Sequence, residues 1–294
     1  MKVGLVDIDS KIPNLALMKL SAYHKSQGDE VKIFDPLFDH PDRIYSSKVF
    51  KTTDQYNYFP ADCEVIQGGS GHDLTLKMND SIESMCPDYS LYSSPFAQGF
   101  ASRGCNRSCG FCIVPLKEGR LHAVADIHQF WNGQERLMIM DNNLTGDTEH
   151  FKLIVNQVIK HKIKTDFNQG LDIRLIDDEK AMLLSKIRLW KGYRLRFAWD
   201  SIELEQDVMR GIGILTKYMK PWKLMFYVLI GYDTTEDEDL YRVEMLKSLG
   251  IRSFVMPYDR ASEYQRDFAR WVNTHVCEVA AWPDYRGREG GMKI

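Results

Sequence analysis

The sequence predicts an α/β protein in which a small α/β unit precedes a partial barrel of six strand–helix units, a partial (β/α)6 barrel. From residue 94 onward, short apolar runs alternate with helical patterns. They recur at intervals of about 30 residues, which is the size of a βα unit. Polar residues follow these apolar runs directly, at the strand ends where parallel βα proteins build their sites.

The apolar runs are rich in β-branched and aromatic residues, and the segments between them have helical patterns that often open with acidic residues. Barrel strands are predicted at residues 96–101, 136–141, 164–168, 194–199, 224–230 and 251–257. Helices are predicted at residues 124–131, 149–161, 178–187, 203–218, 236–249 and 262–276. The alternation of strands and helices favours a parallel sheet.

The N-terminal unit is predicted to contain strands at residues 2–7, 30–34 and 63–67, with a helix at 14–27. Residues 35–60 contain many turn formers, and no element is predicted there. We therefore expect a small α/β domain over residues 1–93, a barrel over 94–260, and a C-terminal helix and mobile tail over 261–294, the tail beginning at Arg286.

The composition is that of a globular protein with 294 residues, a net charge of -3 and 44% hydrophobic residues. Such a charge provides no global attraction to nucleic acid, although a local basic patch stays open. The first residues do not resemble a secretory signal, and no apolar run approaches the length of a membrane span. We expect a cytoplasmic protein without a membrane partner.

Three cysteines, Cys105, Cys109 and Cys112, form the pattern C-x3-C-x2-C. In a chain with no predicted export signal, this grouping favours metal ligation over disulfides. Thiolates bind zinc or iron–sulfur clusters, but a structural zinc site is closed by four protein ligands. Three thiolates on a 4Fe-4S cluster leave one iron open for a small molecule, and we expect such a cluster here.

This motif, placed after the first barrel strand, resembles that of the radical S-adenosylmethionine (radical SAM) superfamily over residues 94–260. The resemblance implies a TIM-like partial barrel and a 4Fe-4S cluster whose fourth iron binds the amino and carboxylate groups of S-adenosylmethionine. It also implies an electron donor such as flavodoxin or ferredoxin. Reductive cleavage of the sulfonium would then give a 5′-deoxyadenosyl radical that abstracts hydrogen from a substrate.

The resemblance also implies roles for residues that follow the barrel strands. Asp141, Asn142 and Asn143 replace a Gly-Gly-Glu-like run that binds the methionyl ammonium, so the role is uncertain among the three. Arg174 would pair with the methionyl carboxylate. The expected cofactor-binding residues are Phe111 near the adenine, Asp141, Asn142, Asn143, Asn168, Gln169, Arg174, Asp200 at the ribose, Gly231, and Met256 through its backbone. No catalytic residue is assigned.

Several of these residues have a purely structural alternative. Asp141 and Asn142 could form a turn or cap the next helix, and Arg174 could simply pair with Asp172 or Asp177. For the Met256 side chain, a place in the core is the favoured interpretation.

Two charged segments are interpreted in the same way. Residues 117–120 could cover the cluster, but a solvated turn is favoured. Residues 186–196 combine five cations with Trp190 and Tyr193. They could contact nucleic acid, but dispersed surface charges with buried aromatics are favoured.

The N-terminal unit resembles a reduced cobalamin-binding, Rossmann-like domain, especially in residues 15–35 and 65–69. It lacks the Asp-x-His-x-x-Gly signature, so the sequence argues against cobalamin; the alternative is a lid or an oligomerisation unit. Cys63, Cys86 and Cys277 are too widely spaced for a ligand pattern and are expected to be buried and unligated.

The sequence therefore predicts a radical SAM enzyme whose substrate it does not identify. A methyl- or methylthiotransferase acting on RNA or protein is the alternative within the same class. Its weak points are the net charge of -3 and the presence of only two cysteines in the N-terminal unit. The alternative from another class is a noncatalytic iron–sulfur or zinc module, which leaves the polar strand ends unexplained.

Overall fold

The computed structural model describes residues 1–286, so the predicted tail lies outside the described residues from residue 287 onward. The chain forms two compact units, both of mixed α/β structure with parallel strands. The first contains Met1–Ser108 and Cys112–Met140, and the second contains Cys109–Phe111 and the chain from Asp141 onward. This division follows spatial proximity, and the domain boundaries at residues 93 and 260 stay a prediction.

A four-stranded parallel sheet forms the base of the first unit. Its strands are β1 (Lys2–Asp7), β2 (Glu30–Ile33), β3 (Arg43–Ser47) and β4 (Glu64–Gly68). They lie in the order β2-β1-β3-β4. Strand β3 falls within residues 35–60, for which no element is predicted. Its Ile44 is fully buried in a cluster with Val6 and Phe34.

The first unit also contains the first two predicted barrel strands. Strand β5 (Ala97–Gly99) pairs in parallel with β8 (Arg136–Ile139). The short strands β6 (Ser102–Arg103) and β7 (His122–Ala123) pair antiparallel and bracket the cysteine segment. The helices of this unit are α1 (Leu15–Ser26), α2 (Asp80–Glu83) and α3 (Val114–Lys117).

The predicted helix over residues 124–131 is wrong. The backbone N–H groups of Val124 and Ala125 donate to the Ala101 carbonyl at 2.9 and 3.1 Å, which holds this stretch in an extended form. Only one 3-10 turn follows, at Ile127–Gln129, and Asp126 caps it. Residues 124–131 therefore form an extended stretch followed by a 3-10 turn, not an α-helix.

Up to residue 286, the second unit contains five strands that pair in parallel and six α-helices. The strands are β9 (Lys164–Phe167), β10 (Arg188–Leu189), β11 (Leu195–Ala198), β12 (Leu224–Ile230) and β13 (Arg252–Pro257). Strands β11, β12 and β13 form one sheet in that order, and β10 pairs with β9. The helices are α4 (Thr148–Lys160), α5 (Asp178–Ser185), α6 (Glu205–Thr216), α7 (Glu236–Ser248), α8 (Glu263–Asn273) and α9 (Trp282–Arg286).

Most predicted elements of the second unit are confirmed. The strands predicted at 164–168, 194–199, 224–230 and 251–257 form within one residue at each end. Helices α4 to α8 begin and end within three residues of their predicted bounds. Arg286, predicted to start the tail, instead ends α9.

The two faces of the sheet β11-β12-β13 differ in exposure, because alternate residues of a strand point to opposite faces. Phe226 and Val228 on one face are fully buried, whereas Phe254 and Met256 on the other are 43% and 45% exposed. The expected core position of Met256 is therefore wrong. The register pairs Met256 with Leu229 on the half-exposed face.

Among residues 1–286, no helix combines the length and the apolar composition needed to cross a bilayer.

Candidate functional site

The cysteine segment is fixed at its base in the first unit. The Cys105 N–H donates to the Gly119 carbonyl at 3.2 Å. Gly104 has a φ of +79°, and a Cβ there would lie 2.3 Å from the Arg120 carbonyl oxygen, so only glycine fits. Together with the β6–β7 pair, these contacts close the loop that carries the thiols.

Two thiols of the motif accept backbone hydrogen bonds. Cys105 Sγ accepts from the Arg107 N–H at 3.4 Å, and Cys112 Sγ accepts from the Val114 N–H at 3.5 Å. Both cysteines are half-buried, as is Cys109 in the second unit. Hydrogen bonds to the sulfurs tune iron–sulfur clusters, so this donor set fits such a cluster.

Charged residues on both sides of the loop form an ion-pair network within the first unit. Arg103 lies 2.6 Å from Glu83 and 3.2 Å from Glu118. Lys117 donates to Ser70 Oγ at 2.6 Å, and burial lowers the pKa of this lysine. The favoured interpretation of a solvated turn is wrong for Lys117 and Glu118, because both are held by partners elsewhere in the unit.

The middle of the motif, Cys109–Phe111, lies in the second unit against aromatic residues. The ring of Phe111 is 5.3 Å from that of Tyr232, which is 4.9 Å from that of Tyr258. A Cβ on Gly110 would lie 2.3 Å from Tyr232 Oη, so glycine permits this approach. We call Phe111, Tyr232 and Tyr258 the aromatic row.

Arg174 lies in the 3-10 turn Ile173–Leu175 and is oriented by Asp172. Its Nε and Nη2 donate to the two oxygens of Asp172 at 2.7 and 3.1 Å, which is one of the alternatives left open by the sequence. Burial opposes the charge of Arg174, but Asp172, Cys109 and Asp200 raise its pKa above the usual value. Within the described residues, Nη1 donates to no group and is open to a further acceptor.

The run Asp141, Asn142 and Asn143 is mostly buried. Asp141 and Asn143 are 3% and 4% exposed. Asn142 is half-buried, and its side chain has no hydrogen-bond partner in the described part of the chain. The next long helix, α4, is capped by Asp147, which accepts from the His150 N–H at 3.0 Å. The alternative that Asp141 or Asn142 caps this helix is therefore wrong.

Thr145 connects two of the predicted site segments and was missed from the sequence. Its Oγ1 donates to Asn143 Oδ1 at 3.0 Å and accepts from the Asp172 N–H at 2.9 Å. The only signal in the sequence was its position two residues after a predicted site residue. Thr145 is 1% exposed and fixes the relative positions of these segments.

Asn168 and Gln169 follow β9. The Asn168 carbonyl accepts from Tyr227 Oη at 3.1 Å, which fixes the backbone at this point. Neither amide side chain has a hydrogen-bond partner among residues 1–286. Both amides are therefore available to a ligand.

Asp200 follows β11 and is half-buried. Burial raises its pKa, against the opposing effects of a hydrogen bond from the Leu229 N–H and the charge of Arg242. Arg242 is fully buried and donates to the carbonyls of Trp199 and Leu229 at 2.6 and 2.9 Å. It thereby ties the end of β11, which carries Asp200, to the end of β12.

Gly231 and Met256 lie at the ends of the neighbouring strands. Gly231 has a φ of +73°, and a Cβ there would lie 1.9 Å from Gln265 Nε2. The left-handed backbone conformation at this position therefore favours glycine, whether or not a ligand is present. The sequence did not identify Tyr232, the residue after Gly231, as an aromatic side chain in contact with the cysteine motif. The signal that could have indicated it is its position just after the end of β12.

Within residues 1–286, no three His, Cys, Asp or Glu side chains form a group arranged to hold a metal ion. All six cysteines lie in this range, and none forms a disulfide. Cys277 is buried as expected, whereas Cys63 is half-buried and Cys86 is exposed. The expectation of burial is wrong for Cys86, which follows the single-turn helix α2 at the surface.

No protein-family model matches the chain, and no curated protein is significantly similar to it. The fold and the site define an α/β protein with parallel sheets. Beside the middle of its cysteine motif lie the Tyr232 ring, which contacts Phe111, and Arg174, whose charge interacts with Cys109.

Proposed function

We propose that this protein is a radical SAM enzyme that abstracts hydrogen from its substrate. The observation that carries the proposal is the position of Cys109–Phe111. In this segment the Phe111 ring contacts the Tyr232 ring, and Cys109 lies within electrostatic range of Arg174. The middle of the cysteine motif is thus beside the residues expected to share its cosubstrate.

Cys105, Cys109 and Cys112 would hold a 4Fe-4S cluster, and their thiol chemistry fits this group. When bound, the cluster supplies one electron, received from a flavodoxin- or ferredoxin-type donor, that splits S-adenosylmethionine into methionine and a 5′-deoxyadenosyl radical able to take hydrogen from a substrate. The chain itself binds and orients the cosubstrate and limits the access of water.

At the methionyl end of the cosubstrate, Arg174 is suited to bind the carboxylate and Asn142 is suited to bind the ammonium. Arg174 is already oriented by Asp172 and has Nη1 available for a carboxylate oxygen. The amide oxygen of Asn142 can accept a hydrogen bond from the methionyl ammonium. Asp141 and Asn143 support this loop from buried positions.

At the adenosyl end, the aromatic row offers rings for the adenine. Aromatic side chains contribute roughly 1–3 kcal/mol for each stacked base. Asn168, Gln169 and Asp200 provide polar groups for the ribose hydroxyls. Gly231 and Met256 provide backbone groups at neighbouring strand ends, where the exposure of Met256 leaves its surroundings accessible.

We also propose that β5, β8, β9, β11, β12 and β13 are the strands of the incomplete six-stranded barrel. Every observed pairing among them within a unit is parallel. The half-exposed face of β11-β12-β13 supports this assignment, because an open barrel leaves part of its inner face accessible to a substrate. The electron donor and the cytoplasmic location belong to the same proposal.

A noncatalytic metal module would not require the open groups of Asn142, Asn168, Gln169 and Arg174. Methylthio transfer is weakened because residues 1–93 contain only two cysteines, not the three that an auxiliary cluster would need. Cys63 packs beside the apolar cluster around Ile44, and Cys86 is exposed. Hydrogen abstraction is therefore the reaction that we propose.

The test is anaerobic reconstitution of the full chain with iron and sulfide, followed by reduction with dithionite. We expect about four irons per chain and formation of 5′-deoxyadenosine from S-adenosylmethionine. Cys109→Ala should abolish both. Cys86→Ala is the matched control, because it removes a thiol outside the motif and should change neither. One stably bound zinc without cleavage of S-adenosylmethionine would contradict the proposal.

A further inference from the structure

A cavity of about 280 Å³ opens at the amino ends of β11, β12 and β13. It lies at the opposite end of these strands from Asp200 and Gly231. The residues around it that matter here are Arg194, Trp222, Lys247, Arg252, His275 and Glu278. All of them belong to the second unit, and none is used in the proposed radical chemistry.

Two arginines in this cavity have no carboxylate partner among the residues that the structure describes. Arg252 makes no side-chain hydrogen bond or ion pair within the described residues. In the described part of the chain, Arg194 donates only to the carbonyls of Trp222 and Gly192, at 2.9 and 3.4 Å. Burial, together with the charge of Arg252, lowers the pKa of Arg194, which is consistent with two guanidinium groups held near each other.

The acidic residue in the cavity does not neutralise these arginines. Glu278 lies 3.6 Å from His275 Nδ1 rather than beside either guanidinium. Lys247 adds a further cation, and its Nζ donates to the Cys277 carbonyl at 2.7 Å. Guanidinium forks match the oxygens of phosphate in geometry and charge, so the cavity favours a phosphate group.

Trp222 adds an aromatic surface at the same place. Its side chain is 60% exposed, and its carbonyl is held by the Arg194 side chain. Lys223 Nζ lies 5.8 Å from the centre of the Trp222 ring. An exposed ring beside cations is a typical surface for stacking of a nucleobase.

We propose that this cavity binds a mononucleotide, with its phosphate at Arg194 and Arg252 and its base on Trp222. The cavity is slightly below the range of roughly 300–1,000 Å³ typical of ligand pockets, which suits a ligand no larger than one nucleotide. Of the five cations in residues 186–196, Arg194 alone is among the residues that line the cavity. Trp222 and Arg252 come from other parts of the chain, which is why the sequence does not reveal the site.

The experiment is isothermal titration calorimetry of the full chain with guanosine monophosphate, guanosine and inorganic phosphate. A guanine nucleotide is chosen because adenine is the base expected at the aromatic row. We expect saturable binding of one guanosine monophosphate, and at least about tenfold weaker binding of guanosine or phosphate alone. Binding of guanosine as tight as that of its monophosphate would overturn the proposal.

Variants locate the binding. Arg252→Gln should weaken binding about tenfold or more, as should Arg194→Gln, and Trp222→Ala should weaken it about tenfold. Among residues 1–286 the Arg252 side chain has no partner to lose, so its variant should unfold at the same temperature as the wild type. Lys160→Gln removes an exposed cation on α4, outside the cavity lining, and should leave the affinity unchanged.

A last variant separates this cavity from the proposed cosubstrate site. Tyr232→Ala should leave the affinity for guanosine monophosphate unchanged. The proposal is wrong if no saturable binding is found, if both arginine variants bind normally, or if Tyr232→Ala removes the binding. None of these outcomes depends on the cluster or on cleavage of S-adenosylmethionine.

Discussion

Polar side chains follow parallel strands in both units, but they are used differently. In the first unit, Asp9 accepts from the N–H groups of Val49 and Phe50 at 2.7 and 2.9 Å. Asn14 donates to Ser10 and Ser47, both at 2.9 Å. We call this the closed edge, because its carboxylate and amide groups are bound by the chain itself.

The second unit has an open edge, consisting of the Asn142, Asn168 and Gln169 amides and Nη1 of Arg174, which have no partner within residues 1–286. The first unit has two exceptions, Ser46 Oγ and His72 Nε2, which have no hydrogen-bond partner in the part of the chain that the structure describes. Buried polar groups normally have hydrogen-bond partners. Those that bond to other parts of the chain stabilise the fold, whereas those without such a partner are available to a ligand. Position after a strand alone does not distinguish the two cases.

The largest expected effect is at the open edge. Arg174→Gln should lower 5′-deoxyadenosine formation at limiting S-adenosylmethionine by about 10- to 100-fold, since it removes a charged hydrogen-bond donor. Arg174→Lys should recover only part of the rate, because lysine has the charge without the guanidinium fork. Iron content should stay normal in both variants. Equal rates of 5′-deoxyadenosine formation for wild type and Arg174→Gln would show that Arg174 does not bind the cosubstrate.

A smaller effect is expected from Gly110→Ala. The new Cβ would lie 2.3 Å from Tyr232 Oη but 3.5 Å from Tyr232 Cζ. We expect about tenfold weaker binding of S-adenosylmethionine, from the loss of one aromatic contact. The double variant Gly110→Ala, Tyr232→Phe lacks the clashing oxygen and should bind nearly normally. Failure of this rescue would show that Tyr232 does not mediate the effect.

One asparagine from each edge provides a matched pair. Asn168→Ala should lower cosubstrate cleavage about fivefold, the value of one hydrogen bond, without changing urea unfolding. Asn14→Ala should instead destabilise the fold by about 1–2 kcal/mol, because Asn14 caps α1. Its cleavage rate per bound iron should be normal. If Asn168→Ala destabilises the protein and leaves cleavage unchanged, the distinction between the edges fails.

The smallest effect concerns pH and the closed edge. Burial opposes ionisation of Asp9, but hydrogen bonds from Val49, Phe50 and Thr53 lower its pKa overall. Its stabilising effect is therefore complete above its unfolded-state pKa of about 3.9 and is lost as the pH falls through the lower folded value.

Asp9→Asn should accordingly destabilise the protein at neutral pH by at most about 1 kcal/mol. The difference from wild type in urea unfolding should shrink as the pH falls below about 4. Asp62→Asn changes an exposed carboxylate that has no hydrogen bond within the described residues, so it should have no effect. A difference for Asp9→Asn that is independent of pH would contradict this account.

The strands and long helices of the second unit could be predicted because local patterning determines them. Strand β12 is a continuous apolar run, and α7 begins with a capping box at Thr235. The turn around Ile127 could not be predicted, because a long-range bond to the Ala101 carbonyl determines it. Local periodicity contains no information about such a partner.

The candidate site divides in the same way. Its strand-end residues could be found from their position, but Thr145 and Tyr232 were missed because their roles depend on contacts with distant segments. The Thr145 hydroxyl meets Asp172, and the Tyr232 ring meets Phe111. The exposure of Met256 likewise follows from its register with β12, which the composition of its own strand does not determine.

The most direct test of the central claim is electron paramagnetic resonance of the reconstituted, dithionite-reduced protein with and without S-adenosylmethionine. If the iron left open by Cys105, Cys109 and Cys112 binds this cosubstrate, the spectrum of the reduced 4Fe-4S cluster should change when it is added. Arg174→Gln should require more cosubstrate for the same change. A reduced cluster whose spectrum is unaffected by saturating S-adenosylmethionine would contradict the account.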